Sequence, residues 1–270
     1  MNFRAEFGRA PRNLDRMEAW VQRLSREGAE FICFPEMSVC GYERTEAVKA
    51  VAEPVPGPST ARLVDIAARF GVVLLAGLAE ADGQGRQYIS QVIAAPEGLL
   101  GVYRKTHLNQ PEKAVFWAGD DIGVFAHPRL TFGVQLCYDA HFPELSTLQA
   151  LSGAEVLFVA SASPRDNPQA KRSRMLRYLP ARAYDNGCYV AACNLVGKGA
   201  RGQYFGGVAL LINPKGELLA EVVGEEEGAA VSLLPGRELN RLRQTKMGYF
   251  LAHRRPDLYG PLCRREQDSG

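Results

Sequence analysis

No apolar run in this sequence approaches the roughly 20 residues that a membrane-spanning helix needs, so no membrane partner is expected. One-sided charge is missing too. The 32 basic residues face 30 acidic ones, for a net charge of +2, whereas a nucleic-acid partner ordinarily leaves a strong basic excess. The opening Met1-Asn2-Phe3-Arg4-Ala5-Glu6 lacks the apolar core of a secretory signal. None of the cysteines (Cys33, Cys40, Cys137, Cys188, Cys193, Cys263) stands in a C-x-x-C pair, which argues against a zinc ribbon or a thioredoxin-type redox site. The expectation is a cytoplasmic chain with reduced thiols. Lysine is scarce, 7 residues against 25 arginines, so a lysine in a chemically suggestive place is the more informative.

What is present is ordinary globular material: 270 residues, 46% hydrophobic and 23% charged. Leu14, Met17, Val21 and Leu24 recur at helical spacing and predict a helix over residues 13–29, capped by Asn13. A short apolar strand over 31–34 is stopped by Pro35. Further helices are predicted over 60–70, 142–151 and 235–244, and one over 171–186 that Pro180 should kink or interrupt. Strands are predicted over 72–78, 88–94, 99–104, 130–136, 156–160, 188–194, 208–212, 217–223 and 229–233, and a polar loop over 109–122. Strands and helices alternate and the last strands follow one another directly, so an α/β domain with mixed sheets is expected. No linker or repeat divides the chain. One domain over 1–270 is the simpler reading, with a polar arm from about residue 254 onward.

Reactive groups in open α/β sheets gather beyond the carboxyl ends of strands. Here one strand runs into Pro35-Glu36, one into Lys105, and one into Cys137-Tyr138-Asp139. A nucleophile at a strand-to-helix turn has backbone amides beside it that can receive an oxyanion. The thiolate is the reactive form of cysteine, and an adjacent cation favours it. Lys105 can supply that charge and, with the backbone N–H of Tyr138, hold a tetrahedral oxyanion. Glu36 can take the thiol proton, pass it to a leaving amine and then activate water against the thioester. Taken singly, each residue reads as well as a surface carboxylate, a surface charge or a buried thiol.

The chain resembles the nitrilase, or carbon–nitrogen hydrolase, superfamily in segments that run in family order over nearly its whole length. They are Phe34-Pro35-Glu36-Met37 with Gly41-Tyr42, Tyr103-Arg104-Lys105-Thr106-His107-Leu108, and Cys137-Tyr138-Asp139-Ala140-His141-Phe142-Pro143-Glu144. Ala181-Arg182-Ala183-Tyr184-Asp185-Asn186, Asn194, Gly206-Gly207 and Asn213-Pro214-Lys215-Gly216 follow. The resemblance implies a four-layer αββα sandwich of two mixed sheets and a catalytic set of Glu36, Lys105 and Cys137. It implies a second glutamate near the nucleophile, a place that Glu112 fits. It further implies a homodimer or larger assembly joined by the helices after the cysteine and near the C-terminus, and neither a metal nor an organic cofactor. Family members usually open with an apolar strand just before the stretch matching Met1-Asn2-Phe3. This chain is therefore expected to begin inside or after that strand, leaving a sheet edge unpaired.

Other residues compete for roles. His141 follows Cys137 by four residues, but a nucleophile ending a strand spoils the one-face geometry a Cys–His pair would need, so His141 is read as structural or pocket-lining. His107 would share a side with Lys105 on an extended strand and orient the loop there. Tyr42 and Asn194 are candidates to line the substrate pocket, and Phe116 and Trp117 to cover it. Gly197, Gly199, Gly202, Gly206 and Gly207 lack the ending of a phosphate loop and read as turn and packing positions. Arg165, Arg172, Arg174 and Arg177 are candidates to bind a substrate carboxylate. The expected activity is hydrolysis of a small linear amide or N-carbamoyl compound. Tyr138-Asp139 after the cysteine, in place of the Trp-Glu of nitrile-cleaving branches, weighs against a nitrile. A catalytically silent binding module on the same fold and acyl transfer to an amine are the remaining alternatives.

Overall fold

The computed structural model describes residues 1–164 and 167–263. Two sheets stack face to face, and each carries helices on its outer side. The first sheet has the order β1 (Phe31–Cys33), β2 (Val73–Ala81), β3 (Gln87–Ala95), β4 (Gly98–Arg104). The β1–β2 pair is parallel and the two others are antiparallel. The second sheet has the order β12 (Leu218–Gly224), β11 (Gly207–Ile212), β8 (Tyr189–Asn194), β7 (Val156–Ser161), β6 (Leu130–Leu136), β5 (Val124–His127). Its β6–β7–β8 centre is parallel and its flanks are antiparallel. The hairpin β9 (Gly197–Lys198) and β10 (Tyr204–Phe205) stands apart from both.

The apolar pattern explains the layering. Along β2, Leu74, Ala76 and Leu78 pack under α1 (Ala10–Arg26) and α2 (Pro58–Phe70), whereas Val73, Leu75 and Ala79 face the other sheet. Along β7, Val156, Phe158 and Ala160 face the first sheet, and Leu157 and Val159 face the helices α4 (Pro143–Leu151), α5 (Pro168–Met175) and α6 (Leu179–Asn186). A strand buried on both faces reads as a continuous apolar run, and its period of two sorts side chains between cores. Three cores therefore fill the three gaps of an αββα sandwich. The middle one draws on residues from Cys33 to Leu239, so no point along the chain separates two cores.

Several elements differ from expectation. Helix α1 starts at Ala10, with Pro11 in its first turn, so Asn13 does not cap it. Asn13 is buried instead: its Oδ1 accepts the Glu6 N–H (3.0 Å), and its Nδ2 donates to the carbonyls of Glu6 (2.8 Å) and Val39 (2.9 Å). The helix expected over 171–186 is divided into α5 and α6, and Pro180 falls in the first turn of α6, where its missing N–H costs no bond. The loop over 109–122 holds the single turn α3 (Gln110–Lys113). The helix expected over 235–244 is α7 (Gly236–Arg243), and short 3₁₀ turns follow it over Phe250–His253, Pro256–Leu258 and Gly260–Cys263. Residues 264–270 of the expected terminal arm lie outside the described residues.

The strand expected over 229–233 does not form. Asn2 bridges Gly228 antiparallel, Phe3 bridges Leu195 in parallel, and the Met1 amino group donates to the Cys33 carbonyl at 2.9 Å. Beyond Met1, a cleft of about 500 Å³ separates the edge of β1 from residues 229–234. With no backbone opposite, an alternating segment has nothing to bond and stays irregular.

Candidate active site

Glu36 follows β1 in a tight turn that lies directly on β2. The Phe34 N–H donates to the Leu75 carbonyl (2.8 Å), the Val39 N–H donates to the Gly77 carbonyl (2.8 Å), and Met37 is left-handed at φ 52°. Glycine at 77 is required, because a Cβ there would lie 2.3 Å from the Met37 nitrogen and 2.9 Å from the Glu36 carbonyl carbon. Lys105 follows β4, with its N–H on the Ile89 carbonyl (2.8 Å). Glu112 closes a capping box: its N–H donates to Asn109 Oδ1 (3.2 Å), and its Oε2 accepts the Asn109 N–H (3.0 Å). That leaves Glu112 Oε1 for other partners.

These side chains meet. Lys105 Nζ donates to Glu36 Oε1 and to Glu112 Oε1, both at 2.8 Å, and all three residues are buried. Glu36 Oε2 accepts the N–H of Ala162 (2.8 Å), the residue after β7, so one carboxylate spans the two sheets. Tyr42 is buried and its hydroxyl donates to Glu112 Oε1 (3.3 Å). Cys137 ends β6 in the left-handed region at φ 46° and opens a 3₁₀ turn over Cys137–His141. It is partly exposed and lies within the field of Glu36, Lys105, Lys171 and Glu112.

The electrostatics follow from burying two carboxylates around one ammonium. Burial alone would discharge Lys105, but Glu36 and Glu112 outweigh it and hold the ammonium well above its ordinary pKa. Burial pushes the Glu36 carboxyl up, and Glu112 adds to that rise against the opposing pull of Lys105. Burial and the Glu36 charge push the Cys137 thiol up, with Lys105 and Lys171 opposing. Burial thus raises both the thiol and the carboxyl, and a carboxylate of raised basicity is the better general base for a nucleophile.

The remaining predicted residues stand as follows. Tyr138 projects its ring outward, 38% exposed, while its backbone N–H sits in the first turn after Cys137, where helical amides lack intrahelical acceptors. His141 is exposed at the end of that turn, its ring 4.4 Å from that of Tyr178. Partial desolvation, with the charges of Lys171, Arg174 and Arg182, lowers its pKa. Asn194 uses its amide on the protein itself: Oδ1 accepts the Ser163 N–H (2.9 Å) and Nδ2 donates to the Gly206 carbonyl (2.9 Å). Phe116 is a core residue rather than a cover, and only Trp117 is exposed. Arg172 pairs with Glu221 on the surface (2.5 Å), Arg174 Nη2 donates to Ser163 Oγ (2.9 Å), and Arg177 is exposed. Arg165 lies outside the described residues.

Sequence reasoning missed two buried residues that shape the turn. Asp139 accepts the N–H of Leu136 (2.9 Å), and Arg182 donates to the carbonyls of Ala140 (3.0 Å) and His141 (3.3 Å). An acidic residue just after a strand end is a capping signal that could have flagged Asp139.

A family model described as carbon-nitrogen hydrolase matches residues 7–246. A protein named nitrilase from Pyrococcus abyssi is 33% identical over 92% of this chain and 93% of its own. A protein named (R)-stereoselective amidase from a Pseudomonas species is 32% identical over 88% of this chain and 85% of its own. Among solved structures, a mutant of the amidase from Nesterenkonia sp. AN1, with acrylamide added at its active-site cysteine, superposes with a TM-score of 0.83. It shares 27% identity and covers 97% of each chain.

Proposed function

This chain belongs to the carbon–nitrogen hydrolase family, and from that premise we propose that it cleaves a small linear amide or N-carbamoyl compound through a thioester on Cys137. The observation that carries this reading is the buried Glu36–Lys105–Glu112 cluster set around a partly exposed cysteine at a strand end. In this reading Glu36 accepts the thiol proton as Cys137 Sγ attacks the carbonyl carbon. Negative charge collects on the carbonyl oxygen, where the Lys105 ammonium and the Tyr138 N–H stabilise it. The C–N bond breaks as Glu36 returns the proton to nitrogen, and ammonia or an amine departs. Water then gives a proton to Glu36 and attacks the thioester. The C–S bond breaks, the acid leaves, and Glu36 restores the thiol. Glu112 holds Lys105 through a second hydrogen bond to Nζ. Tyr42 lines the pocket through its bond to Glu112, His141 stands at the rim, and Asn194 supports the wall by holding Ser163.

A nitrile is the second candidate substrate, because one relative of similar identity carries that name. The test is ammonia release from linear amides, N-carbamoyl amino acids, N-carbamoyl amines and nitriles, with Cys137→Ala beside the parent. Release that vanishes in the variant supports the mechanism, and the best substrate class chooses the branch. Release that persists removes Cys137 from it.

The reading extends to the whole molecule as a single domain that works as a homo-oligomer in the cytoplasm. Leu148, Leu151 and Tyr184 expose apolar surface on the packed pair α4 and α6, which supports self-association there. All six cysteines are free, as a reducing compartment keeps them. Light scattering of the purified chain tests the assembly.

A further inference from the structure

We infer that Asp139 is a positioning residue for this reaction, a strut that fixes the nucleophile's turn against the chain segment carrying Lys105. The inference rests on the roles proposed for Cys137 and Lys105. The carboxylate is fully buried and five donors converge on it. Oδ2 accepts the Leu136 N–H and the Tyr103 hydroxyl, both at 2.9 Å. Oδ1 accepts the His107 N–H (2.8 Å), the Thr106 hydroxyl (3.0 Å) and the His107 ring at Nδ1 (2.9 Å). One donor belongs to the strand that delivers Cys137. The other four belong to Tyr103, Thr106 and His107, which flank Lys105 on both sides. The two segments come from different sheets, so Asp139 ties the layers together beside the reacting atoms.

Only an ionised carboxylate serves all five donors, because it has acceptors at both oxygens and no hydrogen of its own. An asparagine would turn one oxygen into a donor facing donors. Cys137 needs this support, since a non-glycine residue in the left-handed region is strained and persists only where its surroundings hold it. The His107 ring is itself clamped, 3.9 Å from Phe142 and nearly parallel to it, so the strut also fixes the start of α4.

The test compares Asp139→Asn, His107→Asn and His107→Leu in a Cys263→Ser background, which removes an exposed thiol. For each, kcat, KM, melting temperature and the rate of Cys137 alkylation by iodoacetamide are measured, with Cys137→Ala as control. A misplaced reacting group costs on the order of 100-fold in rate, so Asp139→Asn should lower kcat by about that factor with KM changed less than about threefold. Alkylation of Cys137 should slow alongside it in protein that is folded by circular dichroism. His107→Asn places an amide N–H near Nδ1 and should keep kcat within about threefold, while His107→Leu should lose about tenfold. Asp139→Asn with parental kcat and only a lower melting temperature overturns the inference. Should Asp139→Asn fail to fold, equal kcat in the two His107 variants overturns it. Activity that survives in Cys137→Ala defeats the proposed nucleophile instead, and is thereby distinguished.

Discussion

Glu112 shows what one residue contributes at the smallest scale. Its Oε2 caps a helical turn, while its Oε1 faces the Lys105 ammonium, so a fold-making and a chemical role share one side chain. Its charge raises both Glu36 and Cys137. In the proposed mechanism Glu36 works as the base only when ionised, so activity should rise with pH through its raised pKa. Glu112→Gln removes a charge that pushes this pKa up. The acid limb of kcat/KM should then move to lower pH, while kcat falls about 10- to 100-fold as Lys105 loses its second anchor. A pH–rate profile of the two proteins checks both signs, and an acid limb moving upward would contradict the assignment. At this scale the strand ends at Glu36, Lys105 and Cys137 could be marked in the sequence, but only the family resemblance grouped them as one set. Arg182 was not legible, because its bonds run to residues 41 and 42 positions away, and for Asp139 only the Leu136 bond is local, the other four running 32 to 36 positions. Asn13 misled for a related reason: its local context resembles a cap, yet its amide is taken up by Glu6 and Val39.

Among elements, the Glu36 carboxylate depends on a strand that contributes no side chain at one point. Gly77 on β2 lets the turn after β1 lie against the sheet. Gly77→Ala should push that turn outward, at a cost of about 1–3 kcal/mol from overpacking. The kcat should drop about 100-fold as Glu36 leaves Lys105 and the Ala162 N–H, a change that kinetics and thermal melting would read together. Unchanged kcat would mean that the turn is not held there. Element types were legible wherever burial on two faces produced unbroken apolar runs, as in β2, β7 and β8. They were illegible where pairing decides the outcome. Residues 229–233 carry a strand-like composition, but a strand exists only beside another strand.

For the whole molecule, a cleft of about 500 Å³ adjoins the core between β1 and residues 229–234. The Met1 amino group lies at its end, where it donates to the Cys33 carbonyl. Continuing the antiparallel register of Asn2 with Gly228 upstream would lay about 5–6 residues along 229–234 and beside β1. An engineered extension of that many apolar residues ahead of Met1 should fill the cleft and raise the melting temperature by about 2–4 °C for each kcal/mol gained. Equal melting temperatures and equal soluble yield would mean that the cleft accepts no strand. The layer order itself was legible through resemblance, and the three cores give it a physical basis.

Glu36 and Lys105 ride on one sheet and Cys137 on the other, joined across the gap by the Ala162 N–H and the Asp139 carboxylate. In the proposed mechanism the spacing of the two layers is thus a working dimension, and turnover acts as a vernier on it. A shear too small to disturb any helix, whether from pressure, a cosolvent or a neighbouring subunit, would register first as a change in rate.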